Sequence, residues 1–394
     1  MSDNNKLKKF FGIAFIVFIL VIMVAGLIVT VFFPHEINQY ENRYANKIKL
    51  PTLSSINDQS FQDSIEDALS DQIPLAEKAK VVYNIATSSY LNRVLSPIIK
   101  LAPPKYVPYS SLWLFGEDNI VYPSQKFHYV EDLLNNRAVL LNSIFEKNPE
   151  LDFYVYYVEK DTDINFETGE KIATREHIVS QLNIPEENKG RFEIDSFDTF
   201  KEYFYKTDHH WNYKGSYKGY TECLELLKIN DAPLEPIEKI TLGKFTGSKG
   251  AAVGAGIDQF SDDLTVYTFD LPERSVIANG YALESYTADP DKFEDKSEVI
   301  SYAAYYGGDI GELIFSTGDE SKENIVIIGE SYDNAILELL AGHFNNLYSI
   351  DLRHYERTVG KKFVLSEYAE DKDIDKVLLI GNSDFFTDDD FIME

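Results

Sequence analysis

The sequence predicts an α/β protein whose body is a central parallel sheet covered by helices on both faces, preceded by a transmembrane helix and a helical neck. Three observations carry this reading. From about residue 106 onward, short apolar runs of strand length alternate with segments of helical period, the pattern that parallel strands and their crossover helices leave in a sequence. Residues 10–33 carry no charge at all. Between these two parts the chain is polar, broken by Pro51, Pro74, Pro97, Pro103 and Pro104, and only short pieces of it are amphipathic. The expected organisation is a cytoplasmic tip and transmembrane signal-anchor over 1–34, a helical neck over 35–105, and an α/β domain over 106–394 with a β- and loop-rich insertion at about 232–310.

The N-terminal segment sets the compartment. As a helix, residues 10–33 extend about 36 Å, enough to cross a bilayer with some tilt. The run is too long for the apolar region of a cleaved signal peptide, and no A-x-A-like site follows it. Lys6, Lys8 and Lys9 precede it, and Glu36 and Glu41 follow. That asymmetry places the N-terminus inside and the bulk of the chain outside, as a single-pass anchored protein. In the neck, residues 61–69 and 76–94 have the apolar spacing of helices.

In the body, residues 111–116 read as a first strand, 130–147 as a helix, and 151–158 as an aromatic-rich strand buried on both faces. Phe192 and Ile194 mark a short strand, 197–205 a helix, 207–212 a loop or strand end, and 213–227 a helix. Residues 240–302, rich in Gly, Ser, Asp and Thr, read as β structure and loop. Strands follow at 325–329, 347–352 and 377–380, with helices at 332–344 and 363–368. The Asp388-Asp389-Asp390 stretch reads as a solvated end.

Composition narrows the function. A formal charge of −28 over 394 residues would repel a phosphate backbone, so no nucleic-acid partner is expected. Cys223 is the only cysteine; no intrachain disulfide can form, and the residue reads as a buried helix position.

Two stretches carry chemistry. Ile325-Val326-Ile327-Ile328-Gly329-Glu330-Ser331-Tyr332 is an apolar run ending in a turn that presents a serine. A strand running into a turn and helix sets that serine at the carboxyl edge of the sheet, where active sites of open α/β folds gather. There its own N–H faces a developing oxyanion; an ordinary helix N-cap serine fits the same pattern. The other stretch is Thr207-Asp208-His209-His210-Trp211-Asn212. On an extended segment Asp208 and His210 project to the same side. A carboxylate there orients an imidazole whose other nitrogen takes a proton from a serine, while His209 points away. A structural histidine pair, or Asp208 capping the next helix, also accounts for these residues. Asp208, His209, His210, His177, His343 and His354 offer donors for zinc, but no H-x-x-x-H or H-E-x-x-H spacing joins them. Residues 161–165 open like a calcium loop, yet Phe166 stands at the required glycine and Ile172 at the final glutamate. We therefore expect no metal and no cofactor.

The combination of Thr207-Asp208-His209-His210-Trp211-Asn212 with Gly329-Glu330-Ser331-Tyr332 resembles the bacterial DHHW proteins, relatives of the alginate O-acetyltransferase periplasmic proteins with an SGNH-hydrolase-like three-layer fold. Weaker elements extend the likeness over most of the chain: Glu41-Asn42-Arg43, Asp71-Gln72-Ile73-Pro74, Tyr305-Tyr306-Gly307-Gly308-Asp309 and Asp351-Leu352-Arg353-His354-Tyr355. The resemblance implies Ser331 as nucleophile, His210 as general base and Asp208 as its orienting partner. It makes Gly308, Arg353, Trp211 and Tyr332 candidates for the oxyanion hole or substrate contact, Trp211 beside the site or under a sugar ring. Glu330 departs from the aspartate common before the serine in this group.

What the resemblance implies is a membrane-anchored, extracytoplasmic serine acyl enzyme. It would be an O-acetyltransferase or acetylesterase of a cell-surface or secreted polysaccharide, with a membrane-bound O-acyltransferase as acetyl donor. The alternative is a non-catalytic carbohydrate-binding or assembly protein whose aromatics stack on sugars, in which Ser331 and His210 lie apart.

Overall fold

The structure is a computed structural model. It describes residues 2–32, 37–38, 43–46, 50–52, 55–56, 60–72, 106–109, 112–116, 118–122, 127–253, 260–297, 299–308, 310–388 and 393. The body is organised by one eight-stranded sheet. Its strands, in chain order, are β1 (Asp152–Val158), β2 (Lys189–Phe192), β3 (Ser275–Ala278), β4 (Tyr281–Leu283), β5 (Glu312–Ser316), β6 (Asn324–Ile328), β7 (Asn346–Ile350) and β8 (Lys376–Gly381). They lie side by side as β4-β3-β5-β7-β6-β8-β1-β2. The five strands from β7 to β2 are parallel, while β4, β3 and β5 continue the sheet antiparallel.

Side-chain alternation explains why the parallel strands read as unbroken apolar runs. Tyr154, Tyr156, Val158, Ile325, Ile327, Leu378 and Ile380 face one layer, built on the helices Tyr213–Leu226 and Leu337–Ala341. Phe153, Val155, Tyr157, Val326, Ile328, Val377 and Leu379 face the other, built on Glu131–Lys147 and Leu365–Lys372. With both faces covered, every position along such a strand must be apolar. Each side chain fully removed from water in this way contributes roughly 1.5–3 kcal/mol. Cys223 is buried among them.

Several expectations need correction. The sheet is mixed rather than purely parallel. The 240–302 segment is only partly an insertion: Glu238–Phe245 and Asp262–Thr268 form a separate antiparallel pair, but β3 and β4 belong to the central sheet. The run expected as the first strand of the body contains the strand Leu112–Phe115, but Val107–Tyr109 precedes it and, with Asn119–Val121, makes it the middle of a separate three-stranded antiparallel sheet. β5 was unforeseen, as were the helices Leu352–Val359 and Ser383–Thr387. The single helix expected over 332–344 is broken into a 3-10 turn, Asp333–Ala335, and a short helix, Leu337–Ala341.

At the N-terminus a helix spans Ser2–Phe32, and its described apolar side chains, among them Phe11, Phe15, Phe18 and Met23, are exposed. Among the described residues, no helix is long and apolar enough to cross a membrane. Of the expected neck, the helix Ser60–Gln72 is present; the helix expected over 76–94 lies outside the described residues.

Candidate active site

The Asp208-His210 segment is a tight loop between the helices Phe197–Tyr203 and Tyr213–Leu226. Its two ends are tied together. Phe204 and Trp211 form an antiparallel bridge, and the Tyr205 N–H donates to the His210 carbonyl at 3.2 Å. The outgoing helix is capped by Asn212, whose side-chain oxygen accepts from the Lys214 and Gly215 N–H groups at 2.9 and 3.2 Å, a cap typically worth about 1 kcal/mol. Asp208 is thereby not the cap. The incoming end is anchored by Asp262, whose carboxylate accepts from the Lys206 N–H at 3.1 Å and from the N–H and hydroxyl of Thr207 at 2.9 and 2.7 Å.

Held in this way, Asp208 turns onto its own neighbour. Its Oδ1 accepts from the His210 backbone N–H at 2.9 Å and lies 2.5 Å from the ring Nδ1. The opposite ring nitrogen, Nε2, lies 2.8 Å from Ser331 Oγ. A carboxylate can only accept, so Nδ1 carries the proton and Nε2 is free to accept the serine hydroxyl. All three groups are buried, Asp208 and His210 at 1% exposure and Ser331 at 9%. Ser331 reaches this point because β6 ends at Ile328, at the carboxyl edge of the parallel strands. Because the following helix is broken, Ser331 heads no long helix, and it draws no full helix dipole. Its own N–H remains as a donor: among the described residues nothing accepts from it.

The surroundings fix both the geometry and the charge. Asp208 Oδ2 accepts from the Ser248 backbone N–H at 2.6 Å. That approach requires Gly247, because a Cβ there would overlap the Asp208 side chain. The Tyr302 ring stacks on His210 at 4.2 Å with 3° between the planes. Burial pushes the Asp208 carboxyl up, but the favourable interactions with the His209 and His210 imidazoles and the hydrogen bonds from His210 outweigh it. The carboxyl is held well below its ordinary range, so it is an anion available to balance a charge developing on His210. His209 is differently placed. Its Nδ1 meets Ser248 Oγ at 2.7 Å, and burial together with the neighbouring His210 pulls it down to about 3, which keeps the ring neutral.

The remaining candidates are distributed as follows. Tyr332 is a buried support: its hydroxyl donates to the His209 carbonyl at 2.5 Å, and its ring lies 5.3 Å from that of His210. Trp211 does not stand under a sugar ring. It is buried at 1% exposure and packs against Phe192 and Tyr332 in the core. Arg353 is engaged elsewhere, in a two-point contact with Asp351 at 2.9 and 2.7 Å and 3.7 Å from Glu330. Gly308 follows the short helix Tyr302–Tyr306 with φ +75°, as does Gly307; no contact places it on Ser331. Burial pushes Glu330 up to about 7 against the pull of Arg353.

The contributions of Gly247, Ser248, Asp262 and Tyr302 were missed by sequence reasoning. A second missed feature is the ion pair between Lys249 and Asp161, 2.6 Å apart and both buried at 1% exposure. It pins the segment that carries Gly247 and Ser248 to the end of β1. Removing either partner of such a pair typically costs about 3–5 kcal/mol. Asp161, once a candidate calcium ligand, is thus tied to Lys249 and to the Tyr122 N–H. Asp208, His209 and His210 offer atoms within 4.8 Å of one another that could hold a metal. However, both nitrogens of His210 and Nδ1 of His209 are already hydrogen-bonded, so a metal fits only by breaking that chain.

The mixed α/β body thus carries an Asp–His–Ser hydrogen-bonded chain at the carboxyl edge of its sheet. Residues 177–350 match the family model described as DHHW protein. The chain is similar in fold to a DHHW family protein from Eubacterium siraeum DSM 15702, at 18% identity and TM-score 0.56, over 73% of this chain and 95% of that one. Bacillus cereus PatB1 is similar at 17% identity and TM-score 0.52, over 74% of this chain and 100% of that one. The same protein with a sulfonyl adduct aligns at 18% identity and TM-score 0.50, over 73% and 99%. No curated protein matches this sequence.

Proposed function

We propose that the chain is a membrane-anchored, extracytoplasmic serine acyl enzyme that moves an acetyl group onto, or off, a polysaccharide through an acetyl-Ser331 intermediate. The observation that carries this is the continuous Asp208–His210–Ser331 chain, at 2.5 and 2.8 Å. In the first half-reaction Ser331 Oγ attacks the acetyl carbonyl carbon while its proton passes to His210 Nε2. Asp208 holds the Nδ1 proton and balances the imidazolium. The carbonyl oxygen becomes an oxyanion beside the Ser331 N–H. Collapse breaks the bond to the donor oxygen, which leaves with the proton from Nε2. In the second half a sugar hydroxyl, or water, attacks the acetyl carbon, its proton again going to Nε2. Ser331 then departs and recovers that proton.

The exposed apolar side chains of the helix Ser2–Phe32, with Lys6, Lys8 and Lys9 at its start, support the anchor. In this reading a membrane-bound O-acyltransferase delivers the acetyl group. Carbonate extraction of cell membranes tests the anchor, with retention of the chain in the pellet expected and release to the supernatant counting against it. The enzymatic reading is tested with the full-length chain in detergent and a chromogenic acetyl ester. Turnover by the wild type, with acetyl on the Ser331 peptide by mass spectrometry, is expected. Turnover retained in Ser331→Ala would remove the nucleophile. Folded but inactive wild type would favour a binding role. The structure of PatB1 with a sulfonyl adduct recommends a sulfonyl fluoride as a further probe.

A further inference from the structure

Next to the triad, but not formed by it, lies an open cleft of about 210 Å³. Tyr213 and Tyr217 line it from the first turns of the helix that follows Trp211 and Asn212. Tyr267 and Phe269 line it from the strand Asp262–Thr268 and its exit. These four rings are half-buried, each with part of its surface open. They stand as a ladder: Tyr213 meets Tyr267 edge-on at 4.9 Å, and Tyr217 lies nearly parallel to Phe269 at 6.0 Å. The inner wall includes Tyr306, 4.5 Å from Tyr302, which is itself stacked on His210. The rings of Tyr306 and Tyr302 therefore stand between a ligand in this cleft and His210.

The chemistry of the lining is selective. Flat aromatic faces with hydroxyl edges match a pyranose, whose axial C–H groups form an apolar face and whose hydroxyls form a polar rim. Among the described residues, no lysine or arginine lines the cleft, and the one charged lining residue is Glu338. Arg274 is bound to that carboxylate, which also accepts from the Thr287 hydroxyl at 2.8 Å. Lys239 sits over the Tyr213 ring at 5.6 Å without forming part of the lining. Among the described residues, a polymer bearing one carboxylate per sugar would find no cation in the lining without displacing Arg274 from Glu338, in a chain of net charge −28.

We infer that this cleft is an acceptor subsite for a non-anionic hexopyranose chain, neutral or amino-bearing, and that it discriminates against uronate polymers. The inference rests on the polysaccharide reading above and narrows it. The test is isothermal titration of the full-length chain in detergent with cellopentaose, chitopentaose and pentagalacturonate, on the Ser331→Ala background so that no turnover intervenes. We expect cellopentaose or chitopentaose to bind and pentagalacturonate not to. Tyr217→Ala and Tyr267→Ala should each weaken binding by about tenfold or more, while Tyr267→Phe, which keeps the ring, stays within about threefold.

Binding of pentagalacturonate as tight as the neutral probes overturns the inference. So does unchanged binding in both alanine variants, or no binding of either non-anionic probe. A chain inactive on acetyl esters that still binds cellopentaose through Tyr217 and Tyr267 would sink the enzyme reading and leave the subsite standing.

Discussion

His209 and His210 are adjacent in sequence, lie beside the same carboxylate and each meets a serine hydroxyl, yet only one has the geometry of a base. His210 is enclosed between Asp208 and Ser331 and stacked on Tyr302. His209 is about a third exposed, lies 3.7 Å from Asp208 Oδ1, and pairs with Ser248. The same Ser248 supplies a backbone N–H to Asp208. His210 thus has an anion at one nitrogen and the proton donor at the other, which is what general-base catalysis needs. His209 has its Nδ1 tied to a hydroxyl and is held neutral. Side-chain identity is not what makes the catalyst. The difference is the direction in which alternate residues of one short loop project.

The sharpest way to break this comparison is to remove the groups of the first pair. Ser331→Ala and His210→Ala should each lower kcat/KM for an acetyl ester by about 10⁴-fold or more, and Asp208→Asn by about 10⁴-fold through loss of the correct tautomer. A loss of tenfold or less in any of these would mean that the chain of hydrogen bonds is structural. Gly247→Ala should come next. Its added methyl group displaces Asp208 without touching its chemistry, so a kcat loss of about 10²-fold with little change in KM is expected. Wild-type turnover there would show that the Ser248 N–H contact is dispensable.

His209→Gln should be mild, below about tenfold in kcat/KM, because the Asp208–His210–Ser331 contacts do not pass through it. A loss equal to that of His210→Ala would make the two histidines equivalent and end the comparison.

The smallest effect expected is in the pH dependence of stability. His209 titrates near 3 when folded, below its ordinary value of about 6.5. Its contribution is complete above about pH 6.5 and is lost as pH falls toward 3. Glu330 titrates near 7 when folded, above its ordinary value of about 4.5. Its contribution is complete below about pH 4.5 and is lost as pH rises through 7. Thermal melts across this range should therefore show His209→Gln flattening the acid limb and Glu330→Gln flattening the limb around pH 7, each by a few degrees. An unchanged profile in Glu330→Gln would show that the Glu330 carboxyl is not held protonated.

The parts legible in the sequence are those where local chemistry has one solution. Ile325–Ile328 and Val377–Ile380 had to be two-sided buried strands, because nothing in them tolerates water. Asp208 and His210 had to share a side if the loop was extended. The mixed edge of the sheet was not legible. β3 and β4 carry apolar residues, Val276-Ile277-Ala278 and Tyr281-Ala282-Leu283, but each run is only three residues long and largely exposed or half-buried, and they lie in a stretch whose glycines and serines suggest loop. Ser248 acts through its backbone N–H and Gly247 through its lack of a side chain, neither of which leaves a signal in residue type. Trp211 takes the first of its two expected places, packed beside the site against Tyr332, and its indole alone, which suits a sugar face and a core equally well, did not decide between them. Gly219, which leaves room for its ring, was the clue to burial.

The most direct test of the central claim asks which serine is activated. The full-length chain in detergent is treated with phenylmethanesulfonyl fluoride and mapped by peptide mass spectrometry, alongside Ser331→Ala, Ser248→Ala and His210→Ala. The account predicts one adduct, on Ser331, present in the wild type and in Ser248→Ala and absent when His210 is removed. An adduct on Ser248, or one on Ser331 that survives His210→Ala, would contradict it.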